Sequence, residues 1–237
     1  MVSILPARAH GALTRRRGRV LAGPVDIVLE RGGITVVIGP NGAGKTSLLR
    51  MLHGIARLHG GRIDWGGGVE AARRAQAFVF QRPVMLRRSV VDNVAYPLRL
   101  AGLRRTEARE RAAEWVERVG LGAAMDRPAT QLSGGEGQKL ALARALAPGP
   151  ELVFLDEPCA SLDGRATREI EAILVAARDA GTTLVMSTHD MGQARRLANA
   201  VWFMRGGLLH ERAGADDFFA GPATPEARAF LRGDIVE

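Results

Sequence analysis

Apolar and polar positions along the chain follow two rhythms. Short β-branched runs at residues 25–29 and 34–38 predict strands, separated by the pair Gly32 and Gly33. Residues 62–65 and 77–80 predict two more. Between them, Thr46 to His53 has the period of a helix. From about residue 90 to 147 the texture changes. Leu98, Leu100 and Leu103, then Ala112, Trp115, Val116 and Val119, recur at helical spacing, with no convincing strand among them. Strand character returns at 152–155, 183–186 and 201–204, separated by helical segments at about 164–178 and 190–198. The tail, about 214–232, predicts two short helices. Alternation of this kind predicts an α/β fold: a parallel sheet with helices on its faces, into which 90–147 is set as a helical subdomain.

Length and composition narrow the picture. A chain of 237 residues suits one large domain, 1–237, able to bury a core without metals or disulfides. The single cysteine, Cys159, excludes an internal disulfide and fits a reducing compartment. There is no apolar run of about 18 residues and no signal-peptide core, so a cytosolic location is expected. Net charge is +8, from 33 Lys and Arg against 25 Asp and Glu. The excess fits nucleic acid, an anionic membrane face, or scattered arginine with no such role. The one tight cluster, Arg15, Arg16, Arg17 and Arg19, falls in an expected hairpin turn. A single tyrosine and few interleaved aromatics give no base-stacking surface, so no nucleic-acid partner is expected.

The strand at 34–38 runs straight into Gly39-Pro40-Asn41-Gly42-Ala43-Gly44-Lys45-Thr46, which fits G-x-x-x-x-G-K-[ST]. Strand, glycine loop and helix form the context that this pattern needs. The glycines let successive N–H groups point inward at anionic oxygens, and the helix N-terminus adds positive potential. Lys45 supplies a charge to β- and γ-phosphates, Thr46 a hydroxyl for Mg²⁺, and Ser47 a reach toward the α-phosphate.

Residues 152–158 read Leu-Val-Phe-Leu-Asp-Glu-Pro, an apolar strand that delivers two carboxylates at its C-terminal end, where ligands of open parallel sheets lie. Asp156 is placed to hold Mg²⁺, and Glu157 to polarise the water that attacks the γ-phosphate. An Asp-Glu pair standing alone could also be a helix cap, the lesser of the two readings. His189 follows another strand end and can hydrogen-bond the γ-phosphate. Gln81 closes a third and can touch the metal or the water. A second glycine signal, Leu132-Ser133-Gly134-Gly135-Glu136, stands far away in sequence without a lysine, which suggests a nucleotide site shared between two copies of the chain.

Read in order, 39–46, Gln81, 132–136, Asp156, Glu157, Ser161-Leu162-Asp163 and His189 resemble the nucleotide-binding subunit of ATP-binding-cassette (ABC) transporters, over about residues 18–212. The resemblance implies a P-loop NTPase with a RecA-like core, an antiparallel β-subdomain and an inserted helical subdomain. It also implies an ATPase that uses ATP and Mg²⁺ and works as a head-to-tail homodimer around two ATP. In that arrangement Ser133, Gly134 and Gly135 of one subunit meet the γ-phosphate held by Lys45 of the other. Asp163 lies in the loop that crosses between them. Residues 82–95 are expected to face an integral membrane permease, with a periplasmic or extracellular solute-binding protein engaged indirectly. The subunit would then sit on the inner face of the cell membrane. Three features depart from the pattern, one of them Cys159, which stands where threonine is commoner. Residues 9–15 lack the usual adenine-stacking aromatic, leaving His10 or Arg15 as substitutes, and Gly137 falls early in the helix after the signature.

Within the family, Leu52-His53-Gly54, Gln81-Arg82-Pro83-Val84, 188–198 and the tail around Phe218-Phe219 and 225–233 look most like tungstate or related oxyanion importers. Molybdate, phosphate and amino-acid importers are the alternatives, as is a non-transport membrane regulator. A soluble cassette ATPase acting on nucleic acid or ribosomes fits less well, because the chain has neither a second cassette nor a long coiled coil.

Overall fold

The structure, a computed structural model, describes residues 3–234. Its centre is a six-stranded sheet. The strands are β3 (Ile34–Ile38), β5 (Gln76–Val79), β6 (Leu152–Asp156), β7 (Thr183–Ser187), β8 (Ala200–Arg205) and β9 (Leu208–Gly214). Their order is β5-β6-β7-β3-β8-β9. All neighbours run parallel except β8 and β9, which form an antiparallel hairpin. β6 and β7 are buried along their whole length, so they read as apolar runs rather than alternating ones.

A second, three-stranded antiparallel sheet lies beside it, ordered β2-β1-β4 from β1 (Ala7–Arg16), β2 (Arg19–Leu29) and β4 (Gly60–Trp65). The expected strand at 25–29 is the end of the longer β2. The Arg15–Arg19 cluster does form the hairpin tip, with Arg16 paired to Arg19 and Arg17 at φ 51. Gly32 and Gly33 carry the chain from this sheet to β3 in the other, so β2 and β3 are not partners.

Helix α1 (Lys45–His53) sits between the two sheets. Its Leu48, Leu49, Met51 and Leu52 share one apolar cluster with Ala9, Ile27 and Leu29 on one side and Phe154 and Val185 on the other. Truncating a buried leucine here costs about 2–5 kcal/mol. A short α2 (Gly68–Ala75) leads to β5.

Three helices, α3 (Val90–Leu100), α4 (Arg105–Arg118) and α5 (Gly134–Leu146), bury Val91, Val94, Leu98, Ala112, Val116 and Leu140 in a cluster of their own. Asn93, fully buried, ties the segment before α3 down. It accepts from the Leu86 N–H at 2.9 Å and donates to the Ser89 carbonyl at 2.9 Å. Helices α6 (Gly164–Asp179) and α7 (Met191–Leu197) cover the other face of the parallel sheet. The tail folds into α8 (Ala215–Ala220) and α9 (Pro225–Leu231). Among the described residues, no helix is long and apolar enough to cross a membrane.

Candidate functional site

The C-terminal ends of β3, β5, β6 and β7 open on one edge of the sheet, and the chemistry-bearing residues gather there. Residues 39–44 link β3 to α1. Gly39 (φ 146) lies so close to the Met204 carbonyl that a side chain would collide with it, and a Cβ on Gly44 (φ 98) would stand 2.5 Å from the Leu21 carbonyl. Glycine is therefore obligatory at both positions. Pro40 is half-buried, Asn41 and Gly42 face solvent, and Ala43 is packed inside; Ser47 lies in the first turn of α1.

Lys45 is only 6% exposed. Its Nζ donates to the Gly39 carbonyl (2.8 Å) and the Pro40 carbonyl (3.1 Å), folding the ammonium into the cradle with one donor left for a phosphate oxygen. Burial lowers its pKa, against the opposing charges of Glu157 and Asp156. A buried cation within backbone glycine loops matches a polyanionic ligand.

Asp156, 2% exposed, ends β6. Its Oδ1 accepts from Thr46 Oγ1 (2.8 Å) and Ser187 Oγ (3.0 Å), while Arg50 Nη2 stands 3.9 Å from Oδ2. One carboxylate and one hydroxyl suit Mg²⁺, which takes few protein ligands and completes its shell with phosphates and water. Glu157 follows with φ 45, a left-handed conformation unusual for a residue with a side chain. Its Oε2 accepts from Gln81 Nε2 at 3.2 Å and lies 3.1 Å from His189 Nδ1. Three residues from three strand ends thus meet at one carboxylate oxygen.

The second glycine signal sits elsewhere. Ser133 N-caps α5 in a reciprocal capping box. Its Oγ accepts from the Glu136 N–H (3.4 Å), and the Ser133 N–H donates to Glu136 Oε2 (2.9 Å). The Ser133 N–H and the Ser133 hydroxyl (2.8 Å) both donate to Glu136 Oε2 and hold that carboxyl below its usual pKa. Asp163 N-caps α6 by accepting from the Ala166 N–H at 2.8 Å. Ser133, Gly134, Gly135 and Asp163 line one open recess of about 430 Å³ that includes none of residues 39–47. Ser133 is exposed, so its helix N-terminus is open to an anion from outside the chain.

Two features escaped the sequence reading. Ser187 joins Asp156 to Glu157 from a fully buried position, and Arg50 backs Asp156 from α1. Ser187 and His189 belong to one polar run, Ser187-Thr188-His189-Asp190, after an apolar strand, and a small polar residue closing that strand is the signal for Ser187. Of the two substitutes for an adenine-facing aromatic, Arg15 pairs with Val20, next to the Leu21 that abuts Gly44; His10 pairs with Arg62 and lies 3.5 Å from Asp64.

With this geometry in view, the comparisons assign the class. The family model described as ABC transporter matches residues 23–160. The chain therefore belongs to the ABC transporter family. It carries the family's ATP-hydrolysing domain, whose cofactors are ATP and Mg²⁺. The chain is 39% identical over 218 residues to the methionine import ATP-binding protein MetN of Cereibacter sphaeroides, covering 87% of this chain and 62% of that protein. It is 40% identical over 195 residues to the tungstate uptake system ATP-binding protein TupC of Peptoclostridium acidaminophilum, covering 81% and 90%. Among solved structures, cbiO1 of Clostridium perfringens, part of the complex cbiONQ, superposes with a TM-score of 0.80 at 26% identity, over 98% of this chain and 96% of that one. The ATP-binding cassette MJ0796, a dimer bound to ADP and Pi, shares the fold with a TM-score of 0.78 at 23% identity, over 88% and 98%.

Proposed function

We propose that this chain is the ATPase subunit of an importer that drives a separate membrane permease, with tungstate or a related oxyanion as the solute. The observation that carries the ATPase half is the meeting of Gln81, Glu157 and His189 at one carboxylate oxygen beside the Lys45 loop, with Ser133 exposed in a recess of its own. In this reading Lys45 and the N–H groups of 39–46 hold the β- and γ-phosphates. Thr46 and Asp156, with Gln81, would hold Mg²⁺, which neutralises developing charge on the phosphates. Glu157 takes the proton of the attacking water, and His189 hydrogen-bonds the γ-phosphate. Ser133, Gly134 and Gly135 close on that phosphate from a second copy, with Asp163 at the crossing between copies. Adenine lies against Arg15.

The permease half rests on a groove of about 240 Å³ lined by Phe80, Pro83, Tyr96, Pro97, Leu100 and Arg144. Its rim leaves Val84 73% and Leu100 72% exposed. Along the sequence, residues 82–105 carry six arginines (Arg82, Arg87, Arg88, Arg99, Arg104 and Arg105) against one acid, Asp92, which is itself paired with Arg109 at 2.7 Å. An acidic cytoplasmic helix of a permease, with apolar residues on one face, complements such a surface, and the subunit would lie at the membrane's inner face. The similarity to TupC supports the oxyanion, while the similarity to MetN keeps methionine as the competing solute.

Reconstitution with an oxyanion permease and its binding protein in proteoliposomes that enclose MgATP tests the whole reading. ATP hydrolysis should rise when tungstate-loaded binding protein is added outside, and Leu100→Asp should abolish permease capture while basal hydrolysis persists. Stimulation by methionine and not by tungstate would overturn the oxyanion assignment.

A further inference from the structure

Strand β7 ends in Ser187, which is fully buried. Its Oγ makes two contacts at 3.0 Å, one with Asp156 Oδ1 and one with the backbone N of Glu157. A hydroxyl has one proton, so the polarity is fixed: Ser187 donates to the carboxylate and accepts from the amide. Asp156 Oδ1 is shared with Thr46 Oγ1. The result is a continuous path from the first turn of α1, through Asp156 and Ser187, to the amide of Glu157. That amide belongs to a residue at φ 45, a backbone state that Glu rarely holds unaided. Ser187 itself is well anchored. β7 pairs with β3 and β6 on its two sides, and the next N–H, of Thr188, donates to the Val37 carbonyl at 3.2 Å.

We propose that Ser187 is a positioning residue for hydrolysis. It pins the strained Glu157 backbone and ties that backbone to Asp156, so that the carboxylate facing the metal and the carboxylate facing the water keep a fixed relation. This rests on the roles given above to Asp156 and Glu157. A serine buried for packing alone would tolerate removal of its oxygen with no effect on either carboxylate. The linkage predicts effects on both.

The test is Ser187→Ala in the full chain, with Glu157→Gln as control. In S187A, kcat should fall about 10- to 100-fold, as expected for a small misplacement of a reacting group. The Kd of metal-free ATP should stay within about twofold, because the phosphate loop is untouched, and the Mg²⁺ concentration for half-maximal rate should rise. Hydrogen exchange at the Glu157 amide should speed up in the nucleotide-free protein, a readout independent of turnover. Ser187→Cys, which keeps the shape with a weaker donor and acceptor, should fall between wild type and alanine, and it carries the test if alanine does not fold. Wild-type kcat, Mg²⁺ dependence and amide protection in S187A, or in S187C where alanine does not fold, would overturn the proposal. So would a loss of metal-free ATP binding in parallel with kcat, which marks general damage. If E157Q itself hydrolyses at the wild-type rate, the failure lies with the role of Glu157 instead.

Discussion

His189 Nδ1 lies 3.1 Å from Glu157 Oε2, although the two residues end different strands and stand 32 positions apart. The contact exists because β6 and β7 are parallel neighbours in register, Asp156 beside Ser187, so that the residues after both strands emerge on the same edge. With Gln81 donating to the same oxygen, Glu157 is oriented by two side chains. Such an arrangement makes Glu157 the group whose removal should separate binding from chemistry.

Glu157→Gln is expected to bind MgATP normally, to accumulate as a nucleotide-bound dimer, and to lower kcat by about 10²–10⁴-fold, the span of general-base effects. Phosphate release and size-exclusion chromatography with MgATP measure the two halves. A monomer with full turnover would contradict the assignment.

Much of this edge was legible in the sequence, because a glycine loop, an Asp-Glu pair and a histidine each come directly after an apolar strand. The parts that were not legible have physical reasons. β1 buries Ala7, Ala9 and Ala12 rather than large β-branched residues, and alanine carries little strand signal. β9 has no fully buried residue, so its alternation never shows an apolar face. Helix α2 buries Ala72 alone. Ser187 was visible as a residue but not as a contact, because its partners come from a neighbouring strand 30 and 31 positions away.

His53 makes acid pH a stability variable. It ends α1 with its ring edge-on to Phe78 (5.5 Å) and Phe154 (5.8 Å), and its Nδ1 is buried without a partner. Burial lowers its pKa from 6.5 to about 4. The folded protein therefore binds fewer protons here than the unfolded chain between these values. The contribution of neutral His53 is present above pH 6.5 and is lost as pH falls toward 4. His53→Phe should flatten the acid limb of Tm against pH across that window. An unchanged limb would show that other groups set it.

Gly137 is buried early in α5, and a Cβ there would find only Met85 Cε, at 4.0 Å. The space is free and the backbone is helical, so Gly137→Ala should gain about 0.5–1 kcal/mol. For a chain of this size, Tm should rise by about 1–4 °C. Thermal denaturation checks this, and a fall in Tm would mean that the site needs glycine for close approach. A stiffer signature helix should leave ATP affinity of the single subunit unchanged, since Lys45 lies outside the recess of α5.

The shared-site reading has a test that a single-chain site cannot imitate. Ser133 lines a recess whose walls do not include Lys45 of the same chain, and the proposal places Lys45 of one copy opposite Ser133 of the other. Lys45→Ala and Ser133→Arg should each inactivate alone, because every site in either homodimer carries one lesion. A mixed dimer of the two variants places both lesions in one site and leaves the other intact. Mixing them should therefore restore hydrolysis, in the mixed dimers, to about half the wild-type rate when each site turns over independently. A chain carrying both substitutions, mixed with wild type, spoils both sites of each mixed dimer and should restore nothing in it. If Lys45 and Ser133 served the same chain's nucleotide, the outcomes would reverse: the mixed single variants would stay inactive, and the double variant would leave the wild-type subunit of each mixed dimer active.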